Sequence, residues 1–171
     1  MTPVGSSLRS PLGSPTGSTT GFFGKLPARG DFVRAGLTRG FIEPWDSWLR
    51  QVMPASRGIL GETWTAAWLE APVWRFALPP GLCGPDAALG LWMPSVDRIG
   101  RYFPLTLARI GGNGSADPDF LPAVEAAGRA AIAEDWAPEA LAARLAIEGE
   151  AGGIPPATGT WWTGGGPRRS A

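Results

Sequence analysis

Three short apolar runs follow one another in the middle of the chain: Val73–Leu78, Ala87–Met93 and Phe103–Ile110. No other feature narrows the possible folds as much. Pro79-Pro80-Gly81 breaks the chain sharply after the first run, and Pro94 to Arg101 forms a charged turn after the second. No helical pattern lies between the runs. Parallel neighbours would need a crossover helix, so antiparallel pairing is expected. Val73–Leu78 follows a two-residue pattern, the mark of a strand. Ala87–Met93 is more continuously apolar, which places it at the centre of a sheet. The third strand is expected to start after Pro104.

The flanking sequence supplies helices. Phe41, Trp45, Trp48, Leu49 and Val52 recur at helical spacing over 41–53. Pro44 is tolerated near a first turn, so this helix is expected to begin close to Glu43. Ile59, Leu60, Trp64, Ala67, Trp68 and Leu69 give a second helical face, bounded by Pro54 and Pro72. Upstream, Gly21-Phe22-Phe23-Gly24 suits a short strand ended by Leu26-Pro27, and Ala28 to Gly40 reads as a loop. Downstream, Gly111 to Ser115 is a break. Phe120–Ala133 and Pro138–Ile147 are alanine-rich helices, and Trp161-Trp162 is a last apolar segment after a Gly/Pro-rich linker. The reading is an α/β (α+β) single domain: a mostly antiparallel sheet with helices packed on it over residues 21–165. A Ser/Gly/Pro-rich tail over 1–20 precedes it and a short tail over 166–171 follows.

Composition removes several function classes. The chain has 171 residues, 44% of them hydrophobic, enough for a core without disulfides or metal. Fifteen basic residues balance fifteen acidic ones, which argues against nucleic-acid binding through phosphate neutralisation. Histidine is absent, and with it Ser-His-Asp chemistry and His-ligated zinc. Cys83 is the only cysteine, a small buried hydrophobe by expectation, with no histidine to activate it. Neither a signal-peptide core nor an apolar run of membrane-spanning length is visible. The expectation is a cytoplasmic, non-catalytic protein with no cofactor, no metal and no direct membrane insertion.

Two familiar motifs fail on inspection. Gly24-Lys25 lacks the glycine of a phosphate loop, where Thr19 stands, and its Ser/Thr, where Leu26 stands. Arg29-Gly30-Asp31 is better read as a glycine-centred turn flanked by opposite charges. Asp31, Glu43 and Asp97 could serve as acid and base if they met in a cleft, with nearby arginines. An ion pair of Asp97 with Arg98 or Arg101 is the simpler account. Of the nine tryptophans, Trp45/Trp48 and Trp64/Trp68 each share a helix face; most of the nine are assigned to the core, and the alternative is a binding surface with two or three of them exposed. The densest cluster of special residues, Met93 to Leu105, reads as a long hairpin turn pinned by an Asp97–Arg pair or as a recognition loop. Candidate partner-contact residues are Lys25, Arg29 and Asp31 in one loop and Ser95, Asp97, Arg98 and Arg101 in the other.

Four blocks carry a resemblance: Gly21-Phe22-Phe23-Gly24-Lys25-Leu26-Pro27-Ala28-Arg29-Gly30-Asp31-Phe32, then Phe41-Ile42-Glu43-Pro44-Trp45-Asp46-Ser47-Trp48-Leu49, then Ala71-Pro72-Val73-Trp74-Arg75-Phe76, and Met93 through Leu105. In order and spacing they resemble the TagF (ImpM) proteins associated with bacterial type VI secretion. The likeness is specific from Gly21 to about Ile110 and continues weakly to Thr160-Trp161-Trp162-Thr163. It implies a sheet with helices packed against it and no established catalytic site. It also implies a post-translational repressor of the secretion apparatus, linked to a forkhead-associated scaffold protein of a threonine phosphorylation pathway. Some relatives are fused to a phosphatase domain. These 171 residues hold none, so a phosphatase is expected on a separate protein. The alternatives are a small-molecule-binding or hydrolytic enzyme with an Asp/Arg cleft, and a structural component of the assembly.

Overall fold

The computed structural model describes residues 17–112, 117–148, 159–164 and 169–170. The tail over 1–20 lies outside them except for its last four residues, as do most of the Gly111–Ser115 break, the linker before Trp161 and most of the tail over 166–171. Seven strands form one sheet: β1 (Thr19–Gly24), β2 (Val33–Ala35), β3 (Trp74–Leu78), β4 (Ala88–Met93), β5 (Leu105–Ile110), β6 (Thr160–Thr163) and β7 (Arg169–Ser170). Their order is β2-β1-β5-β4-β3-β6-β7, and every neighbouring pair is antiparallel. The three apolar runs thus form the meander β3-β4-β5, with β4 in the central place its composition predicts. β5 begins directly after Pro104.

Helices cover both faces. On one side lie α1 (Arg39–Leu60) and α2 (Trp64–Leu69); on the other lie α3 (Phe120–Ala133) and α4 (Pro138–Glu148). Successive strand residues point to opposite faces, so β1, β3, β4 and β5 each feed two cores. Phe23, Phe76, Leu78, Ala88 and Ile110 pack against Phe41, Trp45 and Leu49 of α1. Phe22, Leu89, Leu91, Met93 and Leu107 pack against Phe120, Val124 and Leu141. This two-sided burial explains why β4 and β5 are apolar almost throughout. It also explains Gly90, where a Cβ would stand 2.5 Å from the Leu107 carbonyl oxygen and 2.7 Å from Phe76 Cζ.

Three expectations need correction. Residues 28–40 are not all loop: Val33–Ala35 is an edge strand, and α1 already starts at Arg39. The strand fits there because Gly21 lets Ala35 approach; a Cβ on Gly21 would lie 2.0 Å from the Ala35 carbonyl oxygen. The first helix does not begin at Glu43 or stop at Pro54. It runs 22 residues to Leu60 with both Pro44 and Pro54 inside it. Each proline removes one backbone donor, and the face of Phe41, Trp45 and Leu49 buried against the sheet outweighs that loss. The helix stops instead at Gly61, whose positive φ of 54° suits glycine and whose N–H bonds the Arg57 carbonyl. What reads as one helical face over 59–69 is therefore the end of α1, a 3-10 turn (Gly61–Thr63) and α2. The tryptophans are mostly interior: Trp45, Trp64 and Trp68 are buried, five are half-buried and Trp48 is exposed.

Candidate functional site

The topology forces two loops together. β1 and β4 both flank β5, with Phe23 opposite Thr106 and Met93 opposite Leu105. The loop leaving β1 after Gly24 and the loop joining β4 to β5 therefore emerge at the same end of the sheet. They are bound to each other at several points. Arg98 N–H donates to the Arg29 carbonyl at 2.9 Å, and the Arg101 guanidinium donates to the Gly30 carbonyl. The Ser95 hydroxyl donates to the Lys25 carbonyl at 2.7 Å. The Ser95 carbonyl accepts from the Trp68 indole at 3.3 Å.

Asp97 is the hub. It is 2% exposed, and its carboxylate accepts from four donors: Lys25 Nζ at 2.5 Å, Arg101 Nε at 2.7 Å, Arg101 N–H at 2.9 Å and Ile99 N–H at 3.1 Å. Burial alone would raise its carboxyl. The Lys25 ammonium, then Arg101 and the Ile99 amide, outweigh burial and hold it well below the usual carboxylate range. Around this anchor the backbone closes a turn. Asp97 N–H donates to the Arg101 carbonyl and Gly100 N–H to the Asp97 carbonyl, both at 3.0 Å, with Gly100 at φ 86°. Tyr102 bridges back to Val96. Of the two arginines expected beside Asp97, Arg101 pairs with it and Arg98 does not, and Lys25 is a partner the sequence reading did not name.

The seven candidate residues thus share one loop cluster but split into two groups. Lys25, Ser95 and Asp97 are buried and lock the loops together. Arg29, Asp31, Arg98 and Arg101 are exposed and form the outer rim, with Phe32 and Ile99. Arg101 reaches into both groups: it also lies 3.9 Å from Asp31. Arg29 pairs with Glu139 at 3.5 Å. The Arg98 side chain makes no hydrogen bond or ion pair among the described residues. Phe32 stacks on Phe23 with centroids 5.7 Å apart and lies beneath the Lys25 ammonium at 5.1 Å.

Of the three carboxylates considered for acid–base work, Asp31 and Asp97 share Arg101, whereas Glu43 has a partner of its own. Asp31 faces solvent beside Arg101, Glu43 pairs with Arg39 at 2.6 Å along α1, and both oxygens of Asp97 are occupied. Cys83 is buried near the Phe41 carbonyl, and burial pushes its thiol up to about 11. Among the described residues, no group of three or more His, Cys, Asp or Glu side chains could hold a metal ion. None of the helices among them is long and apolar enough to cross a membrane.

Sequence reasoning missed the importance of Lys25 as a buried counter-ion. The available signal was its singularity: it is the only lysine, placed directly after an apolar strand. It also missed Phe32, whose aromatic ring was passed over inside a segment read as loop.

The sequence profile of the TagF N-terminal domain, described as type VI secretion system-associated, matches residues 21–147. A similar solved structure is that of PA0076 from Pseudomonas aeruginosa PAO1, at 41% identity and a TM-score of 0.73. The match covers 80% of this chain and 64% of that one, so the chain spans under two thirds of that protein's length. No curated protein sequence matches.

Proposed function

The chain belongs to the TagF N-terminal domain family, type VI secretion system-associated, and on that premise we propose that it is a non-catalytic cytoplasmic regulator. It binds a component of the secretion apparatus and holds the system inactive. The observation that carries this reading is the loop pair itself. A buried Lys25–Asp97 pair, braced from the outside by Arg101, fixes the loops, and the locked loops present Arg98, Ile99, Phe32 and Asp31 to solvent. Rigid loops carrying exposed arginine and aromatic side chains suit protein recognition, where such residues dominate binding energy. A forkhead-associated scaffold protein is the proposed partner, and binding there needs no cofactor.

The enzymatic alternative draws less support. Asp97 has no free lone pair aimed at a substrate, and Asp31 lacks the burial that tunes a catalytic carboxylate. Deleting the gene tests the proposal. Secretion should rise under conditions that normally silence it. Unchanged secretion would refute the repressor role, and lost secretion would favour a structural component instead. Failure to recover the scaffold protein in a pull-down would remove that partner and leave the repressor reading standing.

A further inference from the structure

The two locked loops are basic in a chain that is not. Residues 25–34 and 95–101 carry Lys25, Arg29, Arg34, Arg98 and Arg101 against Asp31 and Asp97, five cations to two anions. The whole chain balances fifteen against fifteen. Lys25 and Asp97 cancel each other in the interior. Arg29 pairs with Glu139, and Arg101 stands between Asp97 and Asp31. Arg34 and Arg98 are left over. Both are exposed, and neither side chain makes a hydrogen bond or ion pair among the described residues.

The cations frame an aromatic ring. Phe32 stacks on Phe23, and Phe103 meets it edge-on at 4.8 Å, so the ring is fixed while 43% of the residue stays open to solvent. Arg50 of α1 lies 5.6 Å from its centroid and is held there by Asp46 at 2.6 Å. Arg34 is the register partner of Phe23. Directly opposed strand residues share a face, so Arg34 leaves the sheet on the α1 side, as Phe23 does. On the second loop Arg98 is followed by Ile99, which is 66% exposed. The other flank has the opposite sign. There the α3–α4 turn carries exposed Glu134, Asp135 and Glu139, with Glu139 3.5 Å from Arg29.

We infer that this face takes an acidic peptide segment of the partner protein. An apolar side chain of the segment rests on Phe32 and Ile99, and its carboxylates meet Arg34 and Arg98. The inference rests on the reading of the loop pair as the contact surface and adds the chemistry of what it contacts. Guanidinium forks match carboxylates in two-pronged pairs, and these two forks are unengaged among the described residues. A uniform polyanion such as nucleic acid fits less well. The fully exposed Asp31 interrupts the basic strip, and Glu134, Asp135 and Glu139 close one side of it. A short segment lying toward α1 avoids those acids.

The test selects random peptides displayed on phage against the full-length chain. An enriched sequence is then labelled and titrated by fluorescence anisotropy, with single-stranded DNA as the comparison. The expected enrichment is Asp and Glu around one aromatic or aliphatic residue, with binding that weakens as salt is raised. Arg34→Gln and Arg98→Gln should each weaken the peptide about threefold, and Ile99→Ser should weaken it too, all three melting as wild type does. Arg39→Gln should change nothing, because Arg39 opens α1 at the opposite end of the sheet, where Gly40 meets Pro85. No enrichment, neutral or basic enriched peptides, affinity unchanged in both arginine variants, or tighter binding of DNA would each overturn the inference. Secretion by the deletion strain reads the repressor role separately. Silencing lost in that strain with no acidic peptide selected would remove the acidic segment alone. An acidic peptide bound while secretion stays unchanged would remove the repressor role alone.

Discussion

Lys25→Met isolates the lock between the two loops. The substitution keeps an unbranched side chain of similar length and removes the ammonium that lies 2.5 Å from Asp97. Breaking a buried ion pair from one side costs about 3–5 kcal/mol, because the remaining charge is left without its partner. Here Asp97 keeps three donors, Arg101 Nε and the amides of Ile99 and Arg101, so the loss belongs at the low end. The ammonium also sits 5.1 Å over Phe32, a ring 43% exposed, which adds about 0.5 kcal/mol. The expected destabilisation is about 3 kcal/mol, or a fall in Tm of roughly 6–12 °C for a domain of this size. Urea unfolding followed by tryptophan fluorescence measures it, with Arg39→Ala as the control. Arg39 belongs to a solvent-exposed pair with Glu43, and its loss should cost under about 0.5 kcal/mol. A Lys25→Met loss below about 1 kcal/mol, at unchanged m-value, would refute the reasoning. The backbone amides and Arg101 would then hold Asp97 by themselves.

Further predictions concern the same anchors. The Asp97 carboxyl is depressed in the folded state, so its contribution to stability is complete above an unfolded-state value of about 3.9 and is lost as pH falls through the lower folded one. Unfolding free energies of wild type and Asp97→Asn should therefore converge as the pH is lowered below about 4, and a constant gap would contradict this. Arg101→Ala should destabilise by about 2 kcal/mol, since Arg101 bonds both Asp97 and the Gly30 carbonyl. Arg98→Ala should leave Tm within the effect of an ordinary surface change, and thermal melts of the two variants separate anchor from rim. Gly90→Ala should cost more than about 2 kcal/mol, because its Cβ would meet the Leu107 carbonyl, Ala108 Cβ and Phe76 Cζ within 2.7 Å. A soluble, equally stable Gly90→Ala protein would show that the sheet and Phe76 can yield.

What was legible in the sequence was local or two-sided. Val73–Leu78, Ala87–Met93 and the strand after Pro104 stand out because covered faces demand apolar residues and Pro/Gly segments mark their ends. Phe120–Ala133 emerges with its bounds unchanged. Val33–Ala35 did not stand out: a three-residue edge strand carries almost no periodicity, and its place depends on Gly21 meeting Ala35 from a distant register. Pro54 misled because a proline inside a helix is a local penalty, while burial of Trp45 and Leu49 against the sheet is a tertiary gain. At the site, the acidic hub Asp97 and its arginine were readable from spacing four residues apart. Lys25 was not, because 72 residues separate it from Asp97 and only the sheet order joins them. Nor was the division of the seven candidates into buried lock and exposed rim, since both groups look equally polar in sequence.

Secretion from a deletion strain complemented at matched protein levels tests the central claim most directly. Wild-type protein should restore silencing, and Arg98→Glu should fail to do so while melting at the wild-type temperature, because Arg98 lies on the rim and its side chain makes no hydrogen bond or ion pair among the described residues. Full silencing by Arg98→Glu would contradict the account and remove the loop pair as the contact surface.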